Sequence, residues 1–252
     1  PSPFGQTHVL RAGPARSRRT PLVLLHLLPF SGIWWRPLQM AMASRPTFAV
    51  DLAGSGGSDP PPAAPPLAGY ADAVLDALDG LGLKRVDLAG YHTGAAVAAD
   101  IAARRPERVR RLVLAGIPLF DAAENAARAA TLAPRDYGAP GVLAARWDQI
   151  RTWFPALPLE RQLELFAESL RIGANGHRPV KAILDWDMES ALKAIRAPTL
   201  VPVLDESLKA NTIAAAGLIP GAQRLDLPGF GEDAFDVRSG EIAGRIAAFL
   251  AA

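Results

Sequence analysis

Apolar residues along the chain fall into two rhythms. Short, nearly uninterrupted runs occur at PLVLLH (21–26), TFAVDLAG (47–54), RVDLAG (85–90), RRLVLAGIP (110–118), APTLVPVLD (197–205) and AQRLDLPG (222–229). Runs of this length and content suit parallel strands covered on both faces. Between them, YADAVLDALDGLG (70–82) places Ala71, Val74, Leu75, Leu78 and Leu81 at helical spacing, with Gly80 and Gly82 as stop signals. Residues 94–105 and 241–252 read as further helices. The alternation predicts an α/β fold, a mostly parallel sheet flanked by helices. The rhythm breaks between 121 and 195, where DAAENAARAATL, GVLAARWDQIRTWF and LERQLELFAESLRIG are helix-like without a clear strand. That segment carries Trp147, Trp153 and Trp186. It reads as a helical lid inserted between two strands, so the expected division is a core of residues 1–120 and 196–252 with a lid of 121–195.

Composition narrows this without changing it. Half of the 252 residues are hydrophobic and 21% are charged, enough for one sizeable core. The formal net charge is only +2. Arg104, Arg105, Arg108, Arg110 and Arg111 lie in helix-like sequence and read as a solvated face; a nucleic-acid surface needs a basic stripe with aromatics in it. The absence of cysteine excludes disulfides, thiolate chemistry and Cys-based metal sites. No apolar run approaches the roughly 18 residues of a membrane span, and the first residues lack the charged-then-apolar order of a signal peptide. The expectation is a soluble cytoplasmic protein with a small-molecule substrate, no nucleic-acid partner and no membrane partner. GSGGSD (54–59) lacks the lysine of a phosphate loop and the spacing of a dinucleotide fingerprint. No histidines or carboxylates stand at ligand spacing, so neither a metal nor a cofactor is expected.

The stretch with the most chemical content is GYHTG (90–94), a tight turn between a strand and an alanine-rich helix. HLLPFSGIWWRPL precedes it, as does DLAGSGGSDPP; RRPERVRRLVLAGIP, APTLVPVLD and LPGFGEDAFD follow. In this order the segments resemble those of the α/β-hydrolase superfamily, in which the turn reads G-x-S-x-G and displays a nucleophilic serine. The resemblance covers nearly the whole chain and implies that fold. It also shows what has departed. His92 holds the nucleophile position and Glu232 the late histidine position. The acid position falls at Asp205, Glu206 or Ser207, with Asp205 the first choice. The four histidines are His8, His26, His92 and His177, so none is available late in the chain.

A serine hydrolase needs a general base within reach of its serine, and the inherited positions offer neither. The resemblance implies that the elbow and late-turn side chains face each other. Glu232 is therefore expected to orient His92, leaving one ring nitrogen as a base. The amides of Thr93 and Leu27 are expected to stabilise developing negative charge, and Phe30, Trp34 and Trp153 to contact substrate. Three readings follow. His92 acts as general base in lyase, cyclase or isomerase chemistry on a small carbonyl compound, in a natural-product setting; or it attacks an ester or lactone itself; or the chain is a ligand-binding protein on a retired fold.

Overall fold

The computed structural model describes residues 2–252. In chain order its elements are β1 (Val9–Ala12), β2 (Leu22–Leu25), α1 (Arg36–Ala41), β3 (Thr47–Val50), α2 (Leu67–Gly80), β4 (Val86–Tyr91), α3 (Thr93–Arg104), β5 (Val109–Ala115), α4 (Ala122–Thr131), α5 (Val142–Trp153), α6 (Leu159–Leu170), α7 (His177–Leu184), α8 (Met188–Ala194), β6 (Thr199–Leu204), α9 (Lys209–Leu218), β7 (Gln223–Leu227), α10 (Ala234–Val237) and α11 (Ser239–Ala251). The strands form one seven-stranded sheet in the order β1-β3-β2-β4-β5-β6-β7, parallel throughout except for β1, which pairs antiparallel to β3.

The apolar runs are strands because both their faces are covered. Every residue of β2, β3, β4 and β6 is buried. One core, on the α2–α3 side, takes Val23, Leu25, Val50, Leu88, Leu112 and Val201 from the strands. The opposite core takes Leu22, Leu24, Ala49, Ala89, Val113 and Leu200, and packs them against Trp35, Leu38, Ile246 and Phe249. The alternation of consecutive strand residues between the two cores is the period-2 geometry of a pleated strand.

The insertion between β5 and β6 holds five α-helices, a 3-10 turn at Gly173–Gly176 and, among the described residues, no strand. They do not form one uniform layer. α8 packs on α3 and α9, within the helical cover of the sheet, while α5 and α6 pack together and α7 packs against α2 and α3. α4 has no buried residue. A buried ion pair fastens α6 to the body: Arg161 Nε stands 2.9 Å from Asp236 Oδ1, with the two side chains 13% and 6% exposed. Among the described residues, no helix is long and apolar enough to cross a membrane.

Candidate active site

The strand β4 ends at Tyr91 and α3 begins at Thr93, so one residue must reverse the chain. That residue is His92, with φ 49° and ψ −113°, the one non-glycine with positive φ among the described residues. Such backbone is costly for an L-residue and is usually held in place by its surroundings. Here the surroundings are close contacts. A Cβ on Gly94 would lie 2.0 Å from the carbonyl oxygen of Leu25, and one on Gly90 2.2 Å from that of Gly94. The turn therefore needs both flanking glycines to bring α3 down onto β2 and β4. The His92 ring rests on Gly116, where a Cβ would meet its Cδ2 at 2.2 Å, and lies beside the Tyr91 ring.

His92 Nε2 lies 2.9 Å from Glu206 Oε2. That oxygen also accepts from the Leu208 amide at 3.0 Å and from the Ser207 hydroxyl at 3.3 Å. An acceptor so placed selects the His92 tautomer that carries its proton on Nε2. Nδ1 has no protein partner among the described residues and is not enclosed. Glu232 stands close by but bonds elsewhere. Its Oε2 accepts from the Tyr91 hydroxyl at 3.3 Å and its Oε1 from the Ser207 amide at 3.2 Å. Burial, reinforced by the charges of Glu232 and Glu206, pushes the Tyr91 phenol well above its ordinary value, so it stays a donor.

The expected partner of His92 is thus replaced. Glu206, one residue beyond the first choice, makes the contact that Glu232 was expected to make. Asp205 points outward: it binds the Gly229 amide and pairs with Lys209, and these contacts hold its carboxyl below the ordinary range. Its side chain is 39% exposed, against 1% for Glu206. Phe30 and Trp34 also sit away from the expected place. Both are fully buried in the core, stacked on each other at 5.3 Å with Trp34 continuing onto Tyr91.

Leu27, Thr93 and Trp153 do line the cavity above His92, with Glu232, Ser207 and Leu208; its volume is about 420 Å³. Phe120, Arg128, Leu132, Val180 and Ile183 add to its walls. No motif marked them, because they come from the irregular segment after β5 and from the inserted helices. The Leu27 and Thr93 amides donate to no protein acceptor among the described residues. His26 fixes the first of them: its Nδ1 donates to the Leu27 carbonyl at 2.9 Å and its Nε2 accepts from the Leu52 amide at 2.9 Å. Acceptance at Nε2 requires the neutral ring, and burial lowers the His26 pKa accordingly.

One property of these three positions was not expected, since no metal ligands were read from the sequence. His92, Glu206 and Glu232 each present a donor atom within 4.8 Å of the others. The three come from the β4–α3 turn, the loop after β6 and the loop after β7, so no sequence spacing announces them. Neither carboxylate pairs with a lysine or arginine among the described residues.

Residues 20–215 match the alpha/beta hydrolase fold family. The chain is 37% identical over 113 residues to the carboxylesterase YbfK of Bacillus subtilis, a match covering 44% of this chain and 38% of that protein. It is 29% identical over 229 residues to a putative carbamate hydrolase, RutD, of Rhizobium rhizogenes, covering 86% of each. The enol-lactonase of Burkholderia xenovorans LB400 superposes with a TM-score of 0.83 at 20% identity, over 98% of this chain and 96% of that one. At that identity the superposition speaks for the fold alone.

Proposed function

The chain belongs to the alpha/beta hydrolase fold family, and on that footing we propose that it hydrolyses a small, mainly apolar ester or lactone with His92 as general base. The observation that carries this is the imidazole at the elbow. Its Nε2 is held by Glu206, its Nδ1 is free, and the unpartnered Leu27 and Thr93 amides stand at the same cavity. The names of the relatives, a carboxylesterase and a putative carbamate hydrolase, set hydrolysis ahead of the lyase, cyclase and isomerase chemistry expected from the sequence.

In this reading the substrate carbonyl oxygen receives the Leu27 and Thr93 amides, aided by the positive end of α3. A water donates its proton to His92 Nδ1 as its oxygen attacks the carbonyl carbon. The imidazolium so formed is stabilised by the Glu206 carboxylate. When the tetrahedral intermediate collapses, the same proton passes to the leaving alkoxide, which departs as the alcohol. General acid–base help of this kind is worth roughly a hundred- to ten-thousand-fold in rate. Glu206 acts through His92 and is a positioning residue. The helices α4–α7 serve as the lid that keeps bulk water from the cavity.

The exposed Nδ1 at the elbow favours a second route, in which it attacks the carbonyl directly and the resulting acyl-imidazole is cleaved by water. The test of both is a panel of p-nitrophenyl esters and simple lactones, followed with wild type and His92→Ala. Steady hydrolysis without a burst, lost in the variant, supports the general base. A stoichiometric burst lost in the variant supports the nucleophile. Tight ligand binding with no turnover of any panel member overturns both and leaves a binding protein.

A further inference from the structure

The geometry points to a divalent transition-metal site formed by His92, Glu206 and Glu232. It shares these residues with the hydrolytic site but does not rest on the hydrolytic reading.

Four observations converge. The donors are one imidazole nitrogen and two carboxylates, within 4.8 Å of one another. Ligands about 2.0–2.2 Å from one ion stand about 2.8–3.6 Å apart, from right-angle to tetrahedral placement. His92 Nε2 and Glu206 Oε2, at 2.9 Å, already meet that spacing; a pair at the 4.8 Å limit has to close by about 1.2 Å to reach it. Second, the Glu206 side chain is 1% exposed, and its Oε1 is enclosed without any hydrogen-bond partner. A buried carboxylate oxygen left empty costs free energy that a cation held by both Glu206 oxygens would recover. Third, the charge is unbalanced, since the carboxylates have no lysine or arginine partner among the described residues. Fourth, each carboxylate is fixed by other contacts, Glu206 Oε2 by the Leu208 amide and the two Glu232 oxygens by the Ser207 amide and the Tyr91 hydroxyl. Metal ligands are commonly oriented by such outer contacts.

The mixed nitrogen and oxygen set suits zinc or its neighbours better than calcium or magnesium, which prefer all-oxygen cages. Three protein ligands leave a position open. His92 and Glu232 both line the cavity, so that position faces the space where a water or a carbonyl oxygen enters, the arrangement of a catalytic rather than a structural ion. As Nε2 takes the ion the ring stays neutral: its proton passes from Nε2 to Nδ1, which faces no protein partner among the described residues.

The experiment uses full-length protein dialysed against EDTA and then freed of the chelator. Zinc is titrated by calorimetry at neutral pH in two buffers of different ionisation enthalpy, and cobalt is titrated by its visible absorption. The expected result is one ion per chain and a cobalt spectrum of low coordination number. Glu232→Gln and Glu206→Gln should each weaken binding at least about tenfold, and Glu189→Gln, exposed on α8 and paired with Lys193, should not. Absence of stoichiometric binding, or binding indifferent to both site variants, overturns the inference. Ester hydrolysis by the metal-free protein is followed in parallel. Full activity without any ion binding leaves the general-base reading standing and removes the metal. Stoichiometric binding with no hydrolysis in either form does the reverse.

Discussion

Replacing Glu206 by Gln isolates the charge behind His92. All of the carboxylate's hydrogen bonds fall on Oε2, from His92, Leu208 and Ser207, while Oε1 has none. The amide can therefore keep its oxygen where Oε2 stands and put its nitrogen at the empty Oε1 position, with no donor facing donor. What is lost is the negative charge 2.9 Å from Nε2. At an effective dielectric of ~20, a full charge pair at that distance has a ceiling of ~6 kcal/mol. Hydrogen bonds to charged groups are worth about 1.5–3 kcal/mol, or roughly 10- to 150-fold in kcat/KM if the bond is made chiefly as the imidazolium forms. The assay is ester hydrolysis by wild type, Glu206→Gln, Glu232→Gln and His92→Ala. Glu206→Gln should fall in that range, and Glu232→Gln should fall less, because Glu232 does not bond the imidazole. Ring nitrogen-15 shifts provide a second readout, with the proton of His92 on Nε2 in wild type. If Glu206→Gln stays within about twofold of wild type while His92→Ala is inactive, the positioning role is wrong.

Other outcomes follow from the same geometry. His92→Gly should unfold at the same or a higher temperature than wild type, since removal of a side chain at positive φ relieves about 1–3 kcal/mol of strain, while abolishing hydrolysis. Gly116→Ala places a Cβ 2.2 Å from His92 Cδ2 at φ 56°; it should lose most activity and about 1–3 kcal/mol of stability by urea titration. Burial keeps the His26 pKa below 6.5, so the unfolded chain takes up a proton that the native state refuses. Stability should therefore fall as pH drops through 6.5, by up to about 1.4 kcal/mol per pH unit from this residue, down to the folded-state pKa. The slope should flatten in His26→Gln. Arg161→Ala strands the buried Asp236 carboxylate and should cost about 3–5 kcal/mol, measured by denaturant unfolding.

The sheet was legible because burial on two faces writes an uninterrupted apolar run, as in LVLL of β2 and TLVPVL of β6. β1 was not: its VLRA is short, partly exposed and at the sheet edge, and nothing in its pattern separates it from a loop. The elbow could be read from its glycines, because backbone contact at Gly90 and Gly94 excludes every other residue. The acid could not be read to one residue. Beyond Leu204 the chain leaves the strand, and the choice between Asp205 and Glu206 depends on which way a loop turns. The same holds for Phe30 and Trp34, whose aromatic character fits a substrate wall or a core equally well until the turn at Gly32–Trp35 directs Trp34 inward.

The Arg161–Asp236 pair bears on traffic into and out of the cavity. Arg161 also reaches Glu164 and the carbonyls of Ile33 and Trp34, and Arg171 at the far end of α6 holds the Gly56 carbonyl. A helix tied at both ends to the body cannot swing as a door. α5 shares its restraint, because Gln162 of α6 grips the Phe154 and Leu157 carbonyls just after it. α4 differs. It has no buried residue and is tied near its first turn, where Glu124 meets Asn211. Arg128, Thr131 and Leu132, toward its other end, line the cavity. The rim of the cavity on that side therefore rests on a surface helix rather than on the buried body, and bulk added there, as in Thr131→Trp, should cost large esters more kcat/KM than small ones.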